Sequence, residues 1–414
     1  MGRSITRVLG VAGAAGLLLA TTACGGKGFD DASAPAQQQA GPAKLTVLIA
    51  SSSAAEQHAV EQAATAWATR TGSTVEVVAA NDMAQQLSQG FAAGSPPDVF
   101  MADASKFAGY AQNMLPYGDS LPYKDDIYPS LRQTFTLDDK LYCAPKDFST
   151  LALVINNELW TRAGLTDQDV PTTWEQLRAV AQKLTTGEQT GLVFASEHNR
   201  VNAFLVQAGG WVLDDKQTTA TADTPQNLQA LQYVRDLLAS GAAKFPKQIG
   251  AGDSIEALGK GKAAMVVEGN WIVGAMRNDY PDVKYRAVPL PAGPAGAGTL
   301  SFTQCWGIAA QSHYQEQAKD LVNAFMDPQQ QLTFAETFGV MPARQSVREQ
   351  YQQRFPDQAA FLQGAEHAHG PVTPTAMDAV MADFDAQLQQ LPDADPKRIL
   401  EQLQRNASAA LGAR

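Results

Sequence analysis

The stretch LTVLIASSSAAEQHAVEQAATAWATRTGSTVEVVAANDMAQQLSQGFAAGSPPDVFM, residues 45–101, decides the fold of this chain. Its short apolar runs predict buried strands at 45–49, 73–79 and 97–101. The longer segments between these runs repeat apolar residues every three to four positions, which predicts helices at 54–71 and 82–93. Strands that alternate with helices in this way form a parallel sheet covered by helices.

The same alternation restarts after residue 150. Strands are predicted at 151–155, 191–194, 263–267 and 284–288. Helices are predicted at 173–184, 225–240 and 254–259. A Pro/Gly/Ala stretch at 289–298 precedes a strand-like segment at 302–310, and the remaining chain has the apolar spacing of helices. The chain is therefore expected to form two α/β lobes, because the roughly 370 residues that follow the first 44 exceed one ordinary core.

The first 44 residues have the pattern of an export segment. Two arginines precede an apolar run at 8–20 that is too short to span a bilayer, and small residues then lead to Cys24. This order predicts a signal peptide at 1–23, lipidation of Cys24, and a flexible tether at 24–44 that cannot bury a core. The protein is therefore expected to be lipid-anchored to the outer face of the cytoplasmic membrane, with simple secretion as the alternative.

The composition excludes several classes of partner. The formal net charge is −11 and no basic stretch interrupts the acidic excess, so neither nucleic acid nor an anionic lipid surface is an expected partner. Sequence motifs for phosphate-binding loops, nucleophile elbows and zinc helices are missing. His367 and His369 are two residues apart and would point to different faces of a helix. Neither a cofactor nor a metal is therefore expected.

Residues that directly follow the predicted strands are the first candidates for a binding site. In an open α/β sheet, ligands bind beyond the carboxyl ends of the strands. Two such lobes facing each other would enclose the ligand in a cleft. The segments at these strand ends are 51–53, 103–106, 147–148, 197–200 and 268–271.

Several short motifs then occur in a recognisable order. They are PDVF (97–100) with FAGY (107–110), YCAPKD (142–147), VINNELW (154–160), PTTWEQL (171–177), GKGKAAM (259–265), GNW (269–271) and GVMPAR (339–344). In this order they resemble the family 1 extracellular solute-binding proteins of ABC importers, the group typified by maltose-binding protein. The chain departs from that pattern at Val154 and Ile155, where the family commonly has Tyr, and at Cys305. The resemblance implies a periplasmic-binding-protein-like α/β fold.

The resemblance also implies where the chain crosses between the lobes. Hinge crossings are expected near 143–150 and 298–305. They divide the body into lobe 1, at 45–146 and 302–340, and lobe 2, at 150–298 and 345–414. The lobes are expected to rotate about the crossings, and ligand would favour the closed form because only there do both lobes touch it.

The candidate ligand-binding residues follow from the strand ends and from the resemblance. Carbohydrate sites combine aromatic rings, which pack on C–H faces, with side chains that bond several hydroxyls. The candidates are Trp271, Asp147, Phe148, Asp103, Lys106, Trp306, Trp211, Glu268, Arg344, Ser52 and Arg200. Trp271 is the expected stacking platform. Core packing is the alternative for the tryptophans, and structural ion pairing is the alternative for Asp103 with Lys106, for Glu268 and for Arg344.

The resemblance places Cys143 and Cys305 in the two crossing segments and so implies a disulfide between them. From the cysteine count alone, two buried free thiols are an equal alternative. The bond is expected to contribute about 2–4 kcal/mol of stability and to limit lobe motion.

These features predict the substrate-binding lipoprotein of an ABC importer. It is expected to be a monomer that captures a carbohydrate, in the first instance a di- or short oligosaccharide, and delivers it to the transmembrane permease subunits. It is not expected to be an enzyme. Binding of a polyamine or a glycerophosphodiester is the main alternative, and a secreted glycosidase, which needs a pair of carboxyl groups, is a weaker one.

Overall fold

The computed structural model describes residues 38–50, 54–187 and 189–412, which belong to one compact unit. Cys24, Ser52 and the predicted signal peptide lie outside these ranges. None of the helices within them is long and apolar enough to cross a membrane. The strands are β1 (Lys44–Ile49), β2 (Thr74–Ala79), β3 (Val99–Asp103), β4 (Thr136–Leu137), β5 (Lys140–Leu141), β6 (Ala144–Asn156), β7 (Thr190–Val193), β8 (Ala243–Lys244), β9 (Ala263–Gly269), β10 (Tyr285–Val288), β11 (Thr299–Ile308), β12 (Met341–Pro342) and β13 (Ala368–His369).

The helices cover the two faces of these strands. They are α1 (Ala54–Thr71), α2 (Met83–Ala93), α3 (Phe107–Tyr110), α4 (Pro129–Thr134), α5 (Asn157–Arg162), α6 (Trp174–Leu184), α7 (His198–Gln207), α8 (Pro225–Ala239), α9 (Ser254–Gly259), α10 (Ile272–Asp279), α11 (Gln315–Phe325), α12 (Pro328–Phe338), α13 (Arg348–Arg354), α14 (Ala359–Gly364), α15 (Asp378–Leu388) and α16 (Pro396–Gly412). The carboxyl-terminal part, predicted to be wholly helical, also contributes β12 and β13.

The strands form a mixed sheet in the order β2-β1-β3-β11-β6-β9-β7-β8. Strands β1, β2 and β3 are parallel to one another, and β7 is parallel to β8 and β9. The α/β architecture predicted from the alternating pattern is therefore confirmed. We call the part built on β1–β3 lobe 1 and the part built on β7–β9 lobe 2.

A ribbon of two long antiparallel strands, β6 and β11, connects the lobes. All thirteen residues of β6 are buried. Its first half pairs with β11, and its second half pairs with β9 on one side and β10 on the other. Strand β11 continues into lobe 1, where it pairs with β3. We call this pair of strands the hinge ribbon.

Two clusters of buried apolar residues form the core. The first contains the interior of lobe 1 and extends onto one face of the lobe 2 strands, where α9, α10 and α14 lie. The second lies on the other face of the lobe 2 strands and includes buried residues of α6, α7, α8, α15 and α16. The first cluster is therefore shared by the two lobes, the second belongs to lobe 2, and both reach the hinge ribbon.

Cys143 and Cys305 form a disulfide, with their Cα atoms 5.8 Å apart. Both cysteines are fully buried in the first core cluster. Cys305 lies in β11 opposite Ala102 of β3, inside lobe 1. The bond therefore fastens the lobe 1 ends of the ribbon to each other. Because it does not join lobe 1 to lobe 2, its position does not support the expectation that it limits lobe motion, which stays a prediction.

Candidate functional site

A cavity of about 480 Å³ opens at the carboxyl ends of the lobe 1 strands, between these ends, the hinge ribbon and Trp271 of lobe 2. This is the edge at which the sequence predicts a binding site. The residues that line it are Ala50, Glu56, Ala80, Met83, Asp103, Lys146, Asp147, Ser149, Trp271, Phe302, Thr303, Gln304, Phe338 and Val340. We call it the cleft.

The floor of the cleft is one face of the hinge ribbon. Asp147 and Ser149 are two residues apart on β6, so their side chains leave the strand on the same side. Their register partners on β11 are Gln304 and Phe302, which line the same cavity. The ribbon therefore presents a carboxylate, a hydroxyl, an amide and an aromatic ring together, which suits a ligand that has both polar groups and an apolar face.

Lys146 and Asp147 form an ion pair at one end of this floor. Their side chains are 7% and 11% exposed, and the lysine nitrogen contacts Oδ2 of the aspartate. The same ammonium lies 4.6 Å from the centre of the Phe338 ring, which also lines the cleft. The two opposite charges cancel locally, so this end of the cleft is polar without carrying a net charge.

Trp271 lies on the lobe 2 side, directly after β9. Its ring folds back over Gly269, where an added Cβ would come within 2.2 Å of the indole, so only glycine fits. The indole meets Phe302 edge to face, with ring centroids 5.2 Å apart. A half-buried tryptophan in this position offers the cavity an apolar surface on a fixed ring.

A second buried ion pair supports Trp271. Arg200 donates to Glu268 Oε2 at 2.8 Å, and the indole nitrogen of Trp271 donates to the same oxygen at 3.0 Å. The guanidinium lies 5.1 Å from the Trp271 ring and 5.8 Å from the Phe302 ring. Both residues were predicted to contact ligand, but neither lines the cleft. They lie behind Trp271 and hold its indole in place.

Asp103 and Lys106, predicted together in the loop after β3, lie in different surroundings. Asp103 lines the cleft, and its carboxylate accepts from the backbone N–H and the hydroxyl of Ser105, at 2.8 and 2.6 Å. Lys106 turns away from Asp103 and forms a half-exposed ion pair with Asp378 at 2.9 Å. Lys106 is therefore outside the cleft, and the surface ion pair weighed as its alternative exists with a different partner.

Two predicted ligand residues on the ribbon strands are buried away from the cleft. Trp306 is fully buried and packs on Phe325, with ring centroids 4.8 Å apart, so no ligand can reach it. Phe148 leaves β6 on the face opposite Asp147 and packs against Tyr128, 5.1 Å away. Phe148 is buried in the first core cluster and is absent from the cleft lining, so it does not face the cleft.

Arg344 and Trp211 also lie outside the cleft. Arg344 donates to Asp126 at 2.6 Å and to the Met326 carbonyl at 3.0 Å, which is the structural ion pair considered as its alternative. Partial burial pushes the pKa of Asp126 upward, but hydrogen bonds from Ser346 and Arg344 outweigh burial and lower the pKa overall. Trp211 packs on His369, with centroids 3.8 Å apart, on the opposite face of the ribbon.

Several residues that line the cleft were not among the candidates. They are Ala50, Glu56, Ala80, Met83, Lys146, Ser149, Phe302, Thr303, Gln304, Phe338 and Val340. Strand parity would have identified Ser149 from Asp147. No comparable signal marks Phe302 or Gln304, because their place depends on the register between two strands far apart in sequence. The described residues contain no group of histidines, cysteines and carboxylates that could hold a metal ion.

Comparisons with known proteins agree with this geometry. A family model described as bacterial extracellular solute-binding protein matches residues 62–361. The diacetylchitobiose binding protein DasA of Streptomyces coelicolor is 23% identical over 357 residues, covering 83% of each chain. The cyclic alpha-maltosyl-1,6-maltose binding protein of Arthrobacter globiformis superimposes with a TM-score of 0.80 at 20% identity, covering 90% of this chain and 100% of that one. UgpB of Mycobacterium tuberculosis, in complex with glycerophosphocholine, has a TM-score of 0.78 at 18% identity, covering 91% and 99%.

Proposed function

Because this chain belongs to the bacterial extracellular solute-binding protein family, we propose that it captures a neutral carbohydrate outside the cell and delivers it to the permease of an ABC importer. One observation carries the choice of ligand. The cleft combines aromatic surface from Trp271, Phe302 and Phe338 with hydrogen-bonding groups, while its lysine, Lys146, is paired with Asp147. A polyol needs apolar contact and many hydrogen bonds but no countercharge.

The paired charges also discriminate against the alternatives. A phosphodiester needs a free cation, but Lys146 is paired with Asp147, and Arg200 is paired with Glu268 outside the cleft. A polyamine needs several carboxylates that are free to bind it, whereas Asp147 is paired with Lys146 and Asp103 already accepts two hydrogen bonds from Ser105. The relatives named for diacetylchitobiose and for cyclic alpha-maltosyl-1,6-maltose favour a di- or short oligosaccharide. The neighbour in complex with glycerophosphocholine makes a phosphodiester the alternative ligand to test.

The proposal includes binding without catalysis, because the family and its relatives are binding proteins. It also includes export with a lipid anchor at Cys24, a monomeric state, and rotation of the two lobes about the hinge ribbon. Cys24→Ser is expected to release the protein from membranes, because no second attachment is proposed. Retention of that variant on membranes after a high-salt wash would contradict the anchor.

Isothermal titration calorimetry tests the ligand class. The chain from residue 25 is titrated with chitobiose, maltose, maltotriose, spermidine and glycerophosphocholine, and hydrolysis of the sugars is followed by chromatography. We expect saturable binding of at least one sugar without hydrolysis. Tighter binding of spermidine or glycerophosphocholine than of every sugar would replace the carbohydrate proposal, and release of monosaccharide would contradict the absence of catalysis.

A further inference from the structure

A second cavity, of about 550 Å³, lies on the face of the hinge ribbon opposite the cleft. Ser301 and Phe302 are adjacent on β11, so their side chains point to opposite faces of the ribbon. Phe302 lines the cleft, whereas Ser301 lines the second cavity. We call this second space the back cavity. It is separated from the cleft by the ribbon itself and is therefore not an extension of it.

Both lobes contribute to the back cavity. Lobe 1 provides residues of α3, α4 and β4, and lobe 2 provides the loop 214–217, while the segment 368–373 closes a further side. Its volume lies in the range of roughly 300–1,000 Å³ that is typical of small-molecule sites. A space of this size, enclosed by segments from both lobes, can surround a ligand.

The polar groups in the back cavity have spare hydrogen-bonding capacity. The side chains of Ser130, Gln133 and Ser301 line it and have no hydrogen-bond partner among the described residues. His369 donates from Nδ1 to the Gly370 carbonyl at 2.8 Å, which leaves Nε2 of the neutral ring as an acceptor. Hydroxyl, amide and imidazole groups that converge in this way can each bond a hydroxyl of a ligand.

The charged residues of the back cavity are balanced or already engaged. Asp214 accepts from the backbone N–H groups of Thr219 and Thr218, which hold its pKa below the ordinary value. Asp215 and Lys216 are neighbours of opposite charge on the same loop. The cavity therefore has no cation cluster for a phosphate and no free carboxylate cluster for an amine.

Apolar surface and backbone strain accompany these polar groups. Leu137, at the cavity wall, is the one large hydrophobic side chain that the described part of the chain leaves exposed, at 36%. Gln217 has a left-handed backbone, with φ of 55°. Its side-chain oxygen accepts from the Thr373 N–H at 2.8 Å, and its side-chain nitrogen donates to the Pro371 carbonyl at 3.2 Å. Strain that the surrounding contacts maintain is common where a loop is held for binding.

We propose that the back cavity is a second binding site, which takes a neutral polyhydroxylated molecule of monosaccharide size. The unengaged hydroxyl and amide groups bond the ligand's hydroxyls, and Leu137 packs on an apolar face of it. The site is distinct from the carbohydrate cleft, and its occupation does not require that the proposed function of the cleft be correct.

Fluorine NMR of protein labelled with 5-fluorotryptophan tests this site, because Trp211 packs on His369 of the back cavity and Trp271 lines the cleft. The Trp211→Phe and Trp271→Ala variants assign the two signals. D-glucose, myo-inositol and glycerol are titrated into the Trp271→Ala variant up to about 100 mM, well above the millimolar range of a weak site. Glucose 6-phosphate is the charged counterpart.

We expect at least one neutral probe to shift the Trp211 signal saturably, and glucose 6-phosphate to leave it unchanged. The double substitution Ser130→Ala with Gln133→Ala is expected to raise the Kd at least tenfold, because it removes two of the side chains that bond the ligand's hydroxyls. Both residues are exposed on α4, so the fold is retained, and a melting curve checks it. Gln329→Ala, at an exposed glutamine on α12, is the matched control and is expected to change nothing.

Three outcomes separate this site from the cleft. If no neutral probe shifts Trp211, or if the double substitution leaves the Kd unchanged, the back cavity is not a binding site. If sugars move Trp271 in the wild-type protein while Trp211 never responds, the cleft function stands and the second site falls. If Trp211 responds and Trp271 does not respond to any sugar, the second site stands and the carbohydrate cleft is contradicted.

Discussion

Two buried ion pairs lie near the same cleft, but they differ in what their acids contact. Glu268 is outside the cavity, and one of its oxygens accepts from Arg200, from the Gly269 N–H and from the Trp271 indole. Asp147 lines the cavity, and its paired oxygen contacts Lys146, its neighbour in sequence. Glu268 thus belongs to the scaffold of lobe 2, whereas Asp147 keeps an oxygen available to a ligand.

The comparison shows that burial near a cleft does not identify a ligand contact. The deciding property is whether the acid lines the cavity, since the protein's hydrogen bonds engage a single carboxylate oxygen of each acid. By this measure, changes at Glu268 and Arg200 should affect folding first, and changes at Asp147 and Trp271 should affect binding first. The following variants test that division.

Glu268→Gln is expected to have the largest effect. It leaves the Arg200 guanidinium buried without a countercharge, and breaking one partner of a buried pair costs about 3–5 kcal/mol of unfolding free energy. Urea denaturation measures the loss. The double substitution Glu268→Gln with Arg200→Met is the control and should recover part of the stability. A loss below about 1 kcal/mol would show that Arg200 finds solvent and that the pair is not structural.

Trp271→Ala is expected to weaken ligand binding by about 2–4 kcal/mol, roughly 30- to 1,000-fold, because it removes the aromatic surface from the lobe 2 side of the cleft. Trp306→Phe is the matched control, since this tryptophan is fully buried in lobe 1 and should change the melting temperature without changing affinity. Calorimetric titration and thermal melting are measured on both variants. Near-native affinity in a destabilised Trp271→Ala protein would make Trp271 a core residue.

Asp147→Asn is expected to weaken binding by about 1.5–3 kcal/mol, the range for a hydrogen bond to a charged group. Its effect on stability should be smaller than that of Glu268→Gln, because Lys146 has a long flexible chain beside an open cavity. The same calorimetric and urea measurements decide the order. Equal losses of stability at both positions would remove the distinction between the two acids.

Asp126→Asn is expected to have the smallest effect, and one that depends on pH. The pKa of Asp126 is lowered below 3.8 in the folded protein, so its contribution to stability is fully present above that value. The contribution is lost as the pH falls through the folded pKa. The variant should therefore be less stable than wild type at pH 7 by at most about 1 kcal/mol, since the pair is partly exposed. Urea curves from pH 7 to about 2.5 should converge, and a difference independent of pH would contradict the assignment.

Much of the fold could be predicted from the sequence because periodic patterns are local. The helix predicted at 54–71 coincides with α1, and the strand predicted at 45–49 is β1 with one further residue. The strand predicted at 151–155 is the second half of β6, which begins at Ala144. The apolar pattern did not predict its first half, where Lys146, Asp147 and Ser149 are polar residues in a buried strand, and only the family resemblance placed a hinge crossing there.

The site was less predictable for the same reason. The predicted residues Trp271, Asp147 and Asp103 line the cleft, and the register between β6 and β11 decides which of their neighbours also reach it. Phe148 points away from the cleft, Trp306 is buried in the interior of lobe 1, and Arg344 pairs with Asp126, 218 residues away in sequence. The pairing of Cys143 with Cys305 followed from the family resemblance, and the structure contains it. A single sequence does not encode these long-range registers in any local pattern.

The disulfide inside lobe 1 has a consequence for how the protein withstands proteolysis outside the cell. Every peptide bond of residues 144–304, which include strands β7–β9 of lobe 2, lies between the two bonded cysteines. A single cut anywhere in that span leaves Cys143 on one fragment and Cys305 on the other, so the nicked chain remains one covalent molecule. A cut before Cys143 or after Cys305 has no such safeguard, and only non-covalent packing retains the severed piece. On a non-reducing gel, damage to most of lobe 2 would therefore pass unseen until a reductant is added.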